Sequence, residues 1–172
     1  IMNDAIGSNI SDYLIKPVNP NQILLSIKKN LENKKLIRER TTMAYQQQFR
    51  EIAMQISGRP DAVEWKDIYR QLVYWELELE KSQDEGLKEI LLMQKAEANG
   101  AFCSYIRKNY TDWLLPQTTD KPVMSHTAFR DLCLPVLKTD EQVFLIVIDN
   151  LRFDQWKVLQ PIFEQYYRII RE

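Results

Sequence analysis

Along most of the chain, apolar residues recur every three or four positions, the period of a helix with one buried face. Ile23, Leu24, Ile27 and Leu31 begin the pattern. Tyr45, Phe49, Ile52, Ala53 and Ile56 resume it, and Gly58 and Pro60 end it. This stretch predicts one long helix, or two joined near residues 40–42. Its start is chemically marked. Asn19 is a good cap, Pro20 suits a first helical position where an N–H would go unpaired, and Gln22 stands where its side chain can reach back to the cap. A second helix is predicted over about Ala62 to Ser82, with Trp65, Ile68, Tyr69, Leu72, Trp75 and Leu79 on its apolar stripe. A third is predicted over about Glu85 to Asn109, carried by Leu87, Leu91, Ala98, Phe102 and Ile106. The short loops between them predict antiparallel neighbours. The end of the first helix, with the second and third, then forms a small bundle.

The pattern changes on both sides of this bundle. Ile1 to Gly7 reads as the end of a helix, and Asp12 to Ile15 as a short strand closed by Lys16-Pro17. Pro116, Thr118, Thr119, Asp120 and Pro122 mark a connector over residues 115–124. Ser125 is expected to cap a shorter amphipathic helix that ends before Lys138. Val143 to Ile148 is a continuous β-branched and aromatic run, which reads as a strand buried on both faces. It ends at Asp149, and a helix is predicted from about Asp154, kinked or divided by Pro161. A buried strand needs neighbours for its backbone groups. Two lone strands on opposite sides of a bundle cannot make two sheets, so the expectation is a fragment reaching from one α/β domain into another.

Composition narrows the class. Only 4 of 172 residues are glycine, which leaves little material for tight hairpins and favours helices. The formal net charge of -1 gives no prior for nucleic acid or membrane. The longest apolar run is too short to span a bilayer, and no signal peptide opens the chain, so a cytoplasmic protein without membrane insertion is expected. Cys103 and Cys133 are expected to be reduced and packed, and His126 to be structural. Two cysteines and one histidine cannot form a zinc finger.

Two short motifs carry chemistry. Tyr13, Lys16 and Pro17, with a helix cap before them and Asn19-Pro20 after, resemble the end of the last strand of a two-component receiver domain. In that family the aromatic switches position on phosphorylation, the lysine contacts the phosphoryl group, and the Lys-Pro bond is usually cis. A phosphoaspartate needs a fixed cation, and a compact ammonium at a strand end supplies one. The acidic pocket that binds magnesium and the phospho-acceptor are not among these residues.

Ile148-Asp149-Asn150-Leu151-Arg152-Phe153-Asp154 resembles the opening motif of PglZ domains, members of the alkaline phosphatase superfamily. The resemblance implies that Asp149 is a metal ligand at the carboxyl end of a strand, with Arg152 and Asp154 the accompanying motif residues. Carboxyl ends of strands are where α/β sheets bind ligands, and a carboxylate suits zinc. The plainer reading makes Asp149 a turn residue and Asp154 a helix cap.

Together, the order of receiver end, bundle and PglZ start resembles the PorX-type response regulators. The fold class expected is mainly α. A three-helix bundle (41–114) and a linker (115–124) are flanked by two α/β pieces: the last strand and helix of a flavodoxin-like receiver (1–40), and the first strand and helix of an alkaline-phosphatase-like domain (125–172). The resemblance implies a zinc-dependent phosphodiesterase effector, control of type IX secretion and gliding motility, and a sensor histidine kinase partner. It also implies dimerisation on phosphorylation and allows contacts with secretion components, a sigma factor or a nucleotide substrate. The chain by itself is expected to be inactive.

Two readings of other classes stand beside this one. One is a non-catalytic helical module for dimerisation or docking. The other is a DNA-binding regulator acting through Lys28 to Arg40, where six basic residues stand against two acidic ones. A solvated helix face explains that run more simply. Residues 76–89 carry the opposite excess, with six acidic residues against two lysines.

Overall fold

The computed structural model describes residues 19–82, 84–115, 117–119, 121–138 and 142–170, together with Lys16 and Pro17. The chain is mainly helical, and no strand occurs among the described residues. It divides into two units, Ile1–Phe49 and Arg50–Glu172.

Helix α1 is one continuous helix, Pro20–Ser57, of 38 residues. Its cap forms as the side chains dictate: the Asn21 N–H donates to Asn19 Oδ1 at 3.0 Å, and the Asn19 N–H donates to Gln22 Oε1 at 3.4 Å. In the first unit, Tyr45 is buried and its ring meets Phe49 edge-on at 6.2 Å. Burial pushes the Tyr45 phenol up to about 12. Ile23, Leu24, Ile27 and Leu31, which the periodicity assigns to a buried face, are exposed. A helical period defines an apolar face, but burial needs a second surface to meet it.

In the second unit, the last turns of α1 join α2 (Ala62–Ser82) and α3 (Glu85–Trp113) in a three-helix bundle. Its core is built from Ile52 and Ile56, then Ile68, Leu72, Trp75 and Leu79, then Leu87, Leu91 and Ala98. Gln71 Nε2 donates to Gln55 Oε1 at 3.2 Å between α2 and α1. Trp65 meets Phe102 and Tyr105, while Glu76 pairs with Lys95, so residue numbers fall along α3 as they rise along α2. The two helices are therefore antiparallel. Asp61 starts α2 by accepting the Val63 and Glu64 N–H groups at 2.8 and 2.9 Å, and Glu64 returns the favour to the Asp61 N–H at 2.8 Å. Asp84 starts α3 by accepting the Leu87 N–H at 3.3 Å.

Gly58 and Pro60 end α1 as expected, and the loop to α2 has one unusual position. The left-handed residue is Arg59, with φ 60°, rather than Gly58 before it. Gly58 instead closes α1 by donating its N–H to the carbonyls of Met54 and Gln55.

Between α3 and Met124 the described residues form no helix or strand. A helical run then extends to Leu137: α4 (Ser125–Ala128), a π-helical turn (Phe129–Cys133) and α5 (Leu134–Leu137). The Leu134 N–H reaches back five residues to the Phe129 carbonyl. Met124, one residue earlier than expected, occupies the cap, because the polar group that serves this end is the Thr127 hydroxyl, which accepts the Met124 N–H at 3.2 Å. The last helix, α6 (Phe153–Phe163), carries Pro161 in its final turn and continues through it.

The strand expected over Val143 to Ile148 is not formed. These residues are irregular and exposed, Phe144 at 86 %. β-structure needs a second strand to take up its backbone groups, and the described residues supply none. The strand expected over Asp12 to Ile15 lies outside the described residues. The two cysteines are free, but Cys103 is exposed rather than packed.

Candidate functional site

The residues singled out as chemical fall in separate units. In the first, Lys16 and Pro17 are exposed and joined by a cis peptide bond, while Tyr13 lies outside the described residues. In the second, the Asp149 motif is organised around a turn. Asp149 and Asn150 form it, and Asn150 takes the left-handed conformation at φ 59°, which an asparagine tolerates better than most residues. The chain then enters α6 with Arg152 at the cap, its N–H donating to Gln155 Oε1 at 3.1 Å.

Arg152 and Asp154 are brought together. The guanidinium makes two parallel hydrogen bonds to the carboxylate, Nε to Oδ1 at 3.0 Å and Nη2 to Oδ2 at 2.7 Å. The Arg152 hydrogen bonds, then its charge, hold the Asp154 carboxyl down at about 2, and Asp154 in turn raises the Arg152 guanidinium. Asp154 is thus a fixed carboxylate inside the first turn of α6, one residue past the opening of the helix rather than its cap. Asp149 stands exposed in the turn and is not drawn into this pair.

The motif rests on the bundle. The Phe153 ring lies 6.0 Å from the ring of Tyr69 on α2, and the fields of Glu76 and Tyr69 reach Arg152. Glu76 also accepts a hydrogen bond from Lys95 of α3 at 2.6 Å. Charges therefore alternate from α3 through α2 to α6 as Lys95, Glu76, Arg152 and Asp154. Periodicity places Tyr69 in the core, yet it is 49 % exposed, and the contact it makes is with Phe153 of α6 on one side of its ring. Tyr74 is exposed as well, whereas Trp65 and Trp75 are buried as expected of bundle core. No spacing rule in the sequence pairs position 69 with position 153.

The charge runs have local explanations. Lys28 and Lys35 pair with Glu32 and Glu39 one turn on, at 3.9 and 3.8 Å, on a solvated helix. In the acidic run, Glu78 pairs with Lys81, Glu85 with Lys88 and Glu76 with Lys95, while Asp84 caps α3. Among the described residues, no three His, Cys, Asp or Glu side chains come together to hold a metal ion, and no helix is long and apolar enough to cross a membrane.

The fold and this arrangement define a helical bundle with the motif helix α6 docked on α2. Residues 35–114, from the middle of α1 to the residue after α3, match the family model of the PorX response regulator linker domain. Over that segment the chain is similar to the linker of PorX-type response regulators. No curated protein matches the chain.

Proposed function

We propose that this chain transmits a phosphorylation signal through the bundle to a zinc-dependent phosphodiesterase of the PglZ kind, in the control of type IX secretion and gliding motility. The match of residues 35–114 to the PorX response regulator linker domain carries the reading. In it, a sensor histidine kinase phosphorylates a receiver that holds magnesium. Tyr13 and Lys16, beside Pro17, respond to the phosphoryl group, and α1 carries the change onward. Phosphorylation also drives homodimerisation.

At the other end, Asp149 contributes one oxygen to a zinc site whose remaining ligands come from other residues. A single carboxylate is not a zinc site, and the described residues do not assemble one. What this chain contributes is orientation. The Arg152–Asp154 pair stiffens the entry to α6, and Phe153 seats that helix against Tyr69 of α2. A shift of α2 is therefore felt within a few residues of Asp149.

The test uses a protein carrying the receiver and PglZ domains together with this chain. Asp149→Ala should lower bound zinc and diesterase turnover on a chromogenic phosphodiester. Unchanged zinc content and turnover would rule out its role as a ligand and leave the linker assignment standing.

A further inference from the structure

A cleft of about 790 Å³ lies where the end of α1, the first turn of α2, the last turns of α3 and the connector at residues 121–123 meet. Its volume is in the range of small-molecule sites. Four cationic side chains line it: Arg59, Lys66, Lys108 and Lys121. They come from four different segments, so no charge run in the sequence announces them. None of the four makes a hydrogen bond or ion pair among the described residues, although the field of Lys121 reaches Asp131.

The acidic lining residue, Asp61, is committed to capping α2, as its two backbone hydrogen bonds show. Ser104 and Asn109 are likewise tied to backbone carbonyls of their own helix. Four cations against the one carboxylate, Asp61, leave the lining net positive. Like charges gathered at one cleft repel each other unless an anion joins them. Arg59 reaches the cleft from a left-handed backbone that L-residues rarely adopt, and strain of this kind gathers at functional positions.

The walls are aromatic. Trp65, Tyr105 and Trp113 line the cleft and are shared with a neighbouring apolar groove of about 690 Å³. The Trp65 indole N–H, in a side chain only 7 % exposed, has no hydrogen-bond partner among the described residues. That N–H is closed off from solvent, so the cleft offers the edge of the ring rather than its donor. Cations at the rim and aromatic rings in the wall describe a single chemistry. The geometry points to a binding site for a small aromatic anion, a planar ring bearing phosphate or carboxylate. Its anionic group sits among Arg59, Lys66, Lys108 and Lys121, and its ring lies against Trp65 and Trp113. This site is independent of Asp149 and of any metal.

Titration of the 172-residue chain with phenyl phosphate, benzyl alcohol and inorganic phosphate tests it. Tryptophan fluorescence reports the occupancy, because two of the four tryptophans line the cleft. Phenyl phosphate is expected to bind saturably, and at least about tenfold more tightly than either the neutral ring or the free anion. The double variant Lys66→Gln/Lys108→Gln, at exposed helix positions, should weaken it by at least about tenfold. In NMR spectra of the unsubstituted chain, the indole N–H signals of Trp65 and Trp113 should move and those of Trp75 and Trp156 should not. Binding no tighter than that of the two halves, binding that survives the double substitution, or shifts confined to Trp75 and Trp156 would each overturn the assignment.

Discussion

Replacing Ile52 and Leu31 by alanine, one at a time, tests how α1 is used. Both lie on the periodic apolar pattern of the same helix, but Ile52 is 0 % exposed and Leu31 is 62 % exposed. Each change removes three carbons. At about 0.8 kcal/mol per buried carbon, Ile52→Ala loses about 2.4 kcal/mol of transfer free energy, and the cavity left in a close-packed core raises the total to about 3 kcal/mol. Roughly two thirds of the Leu31 side chain already meets water, so the same deletion should cost under about 1 kcal/mol, with no cavity term. For a chain of this size, Ile52→Ala should lower the melting temperature by about 6–12 °C and Leu31→Ala by about 3 °C or less. Urea unfolding followed by far-ultraviolet circular dichroism, at fixed protein concentration, measures both. Equal losses would show that Leu31 is packed, and the division of α1 into an exposed and a buried portion would be wrong.

Other consequences are as direct. Asp61→Ala removes both acceptor bonds at the start of α2 and should cost about 1 kcal/mol in the same unfolding experiment, while Asp61→Asn, which keeps an acceptor, should cost less. Tyr45 is held neutral by burial, with its phenol raised from 10.0 to about 12. Its contribution to stability is fully present below pH 10 and is lost as pH rises toward 12, and Tyr45→Phe should flatten that alkaline loss. At the acid end, Asp154 remains charged until about pH 2, so its contribution is present above its ordinary value near 4 and fades as pH falls through about 2. Arg152→Gln should return the Asp154 carboxyl toward the ordinary range in a ¹³C NMR titration; an unmoved midpoint would mean that the pair does not set it.

Much of the molecule was legible because helices are local. Asn19, Pro20 and Gln22 predict the start of α1, and it begins there because a cap needs only side chains within three residues of one another. Ala62 to Ser82 emerges with the predicted bounds for the same reason. Trp65, Ile68, Leu72, Trp75 and Leu79 are buried because their spacing puts them on one face and α3 is there to cover it. The Arg152–Asp154 pair is equally local, two residues apart across the first turn of α6.

What the amino-acid order could not decide is everything that needs a second surface. The same apolar spacing is buried at Ile52 and exposed at Ile27, since period defines a face and only tertiary contact covers it. Val143 to Ile148 has the composition of a buried strand, yet strand pairing joins segments remote in sequence, and none among the described residues meets it. Tyr69 and Phe153 touch across 84 positions of chain, and four cations from α1's end, α2, α3 and the connector converge on one cleft. The order of residues thus determined where the helices of the linker bundle begin, end and present their apolar stripes, because those rest on bonds within a turn or two. Which faces meet, which charges gather and which motif helix rests on which bundle helix were decided by packing, where the interacting groups are far apart along the chain.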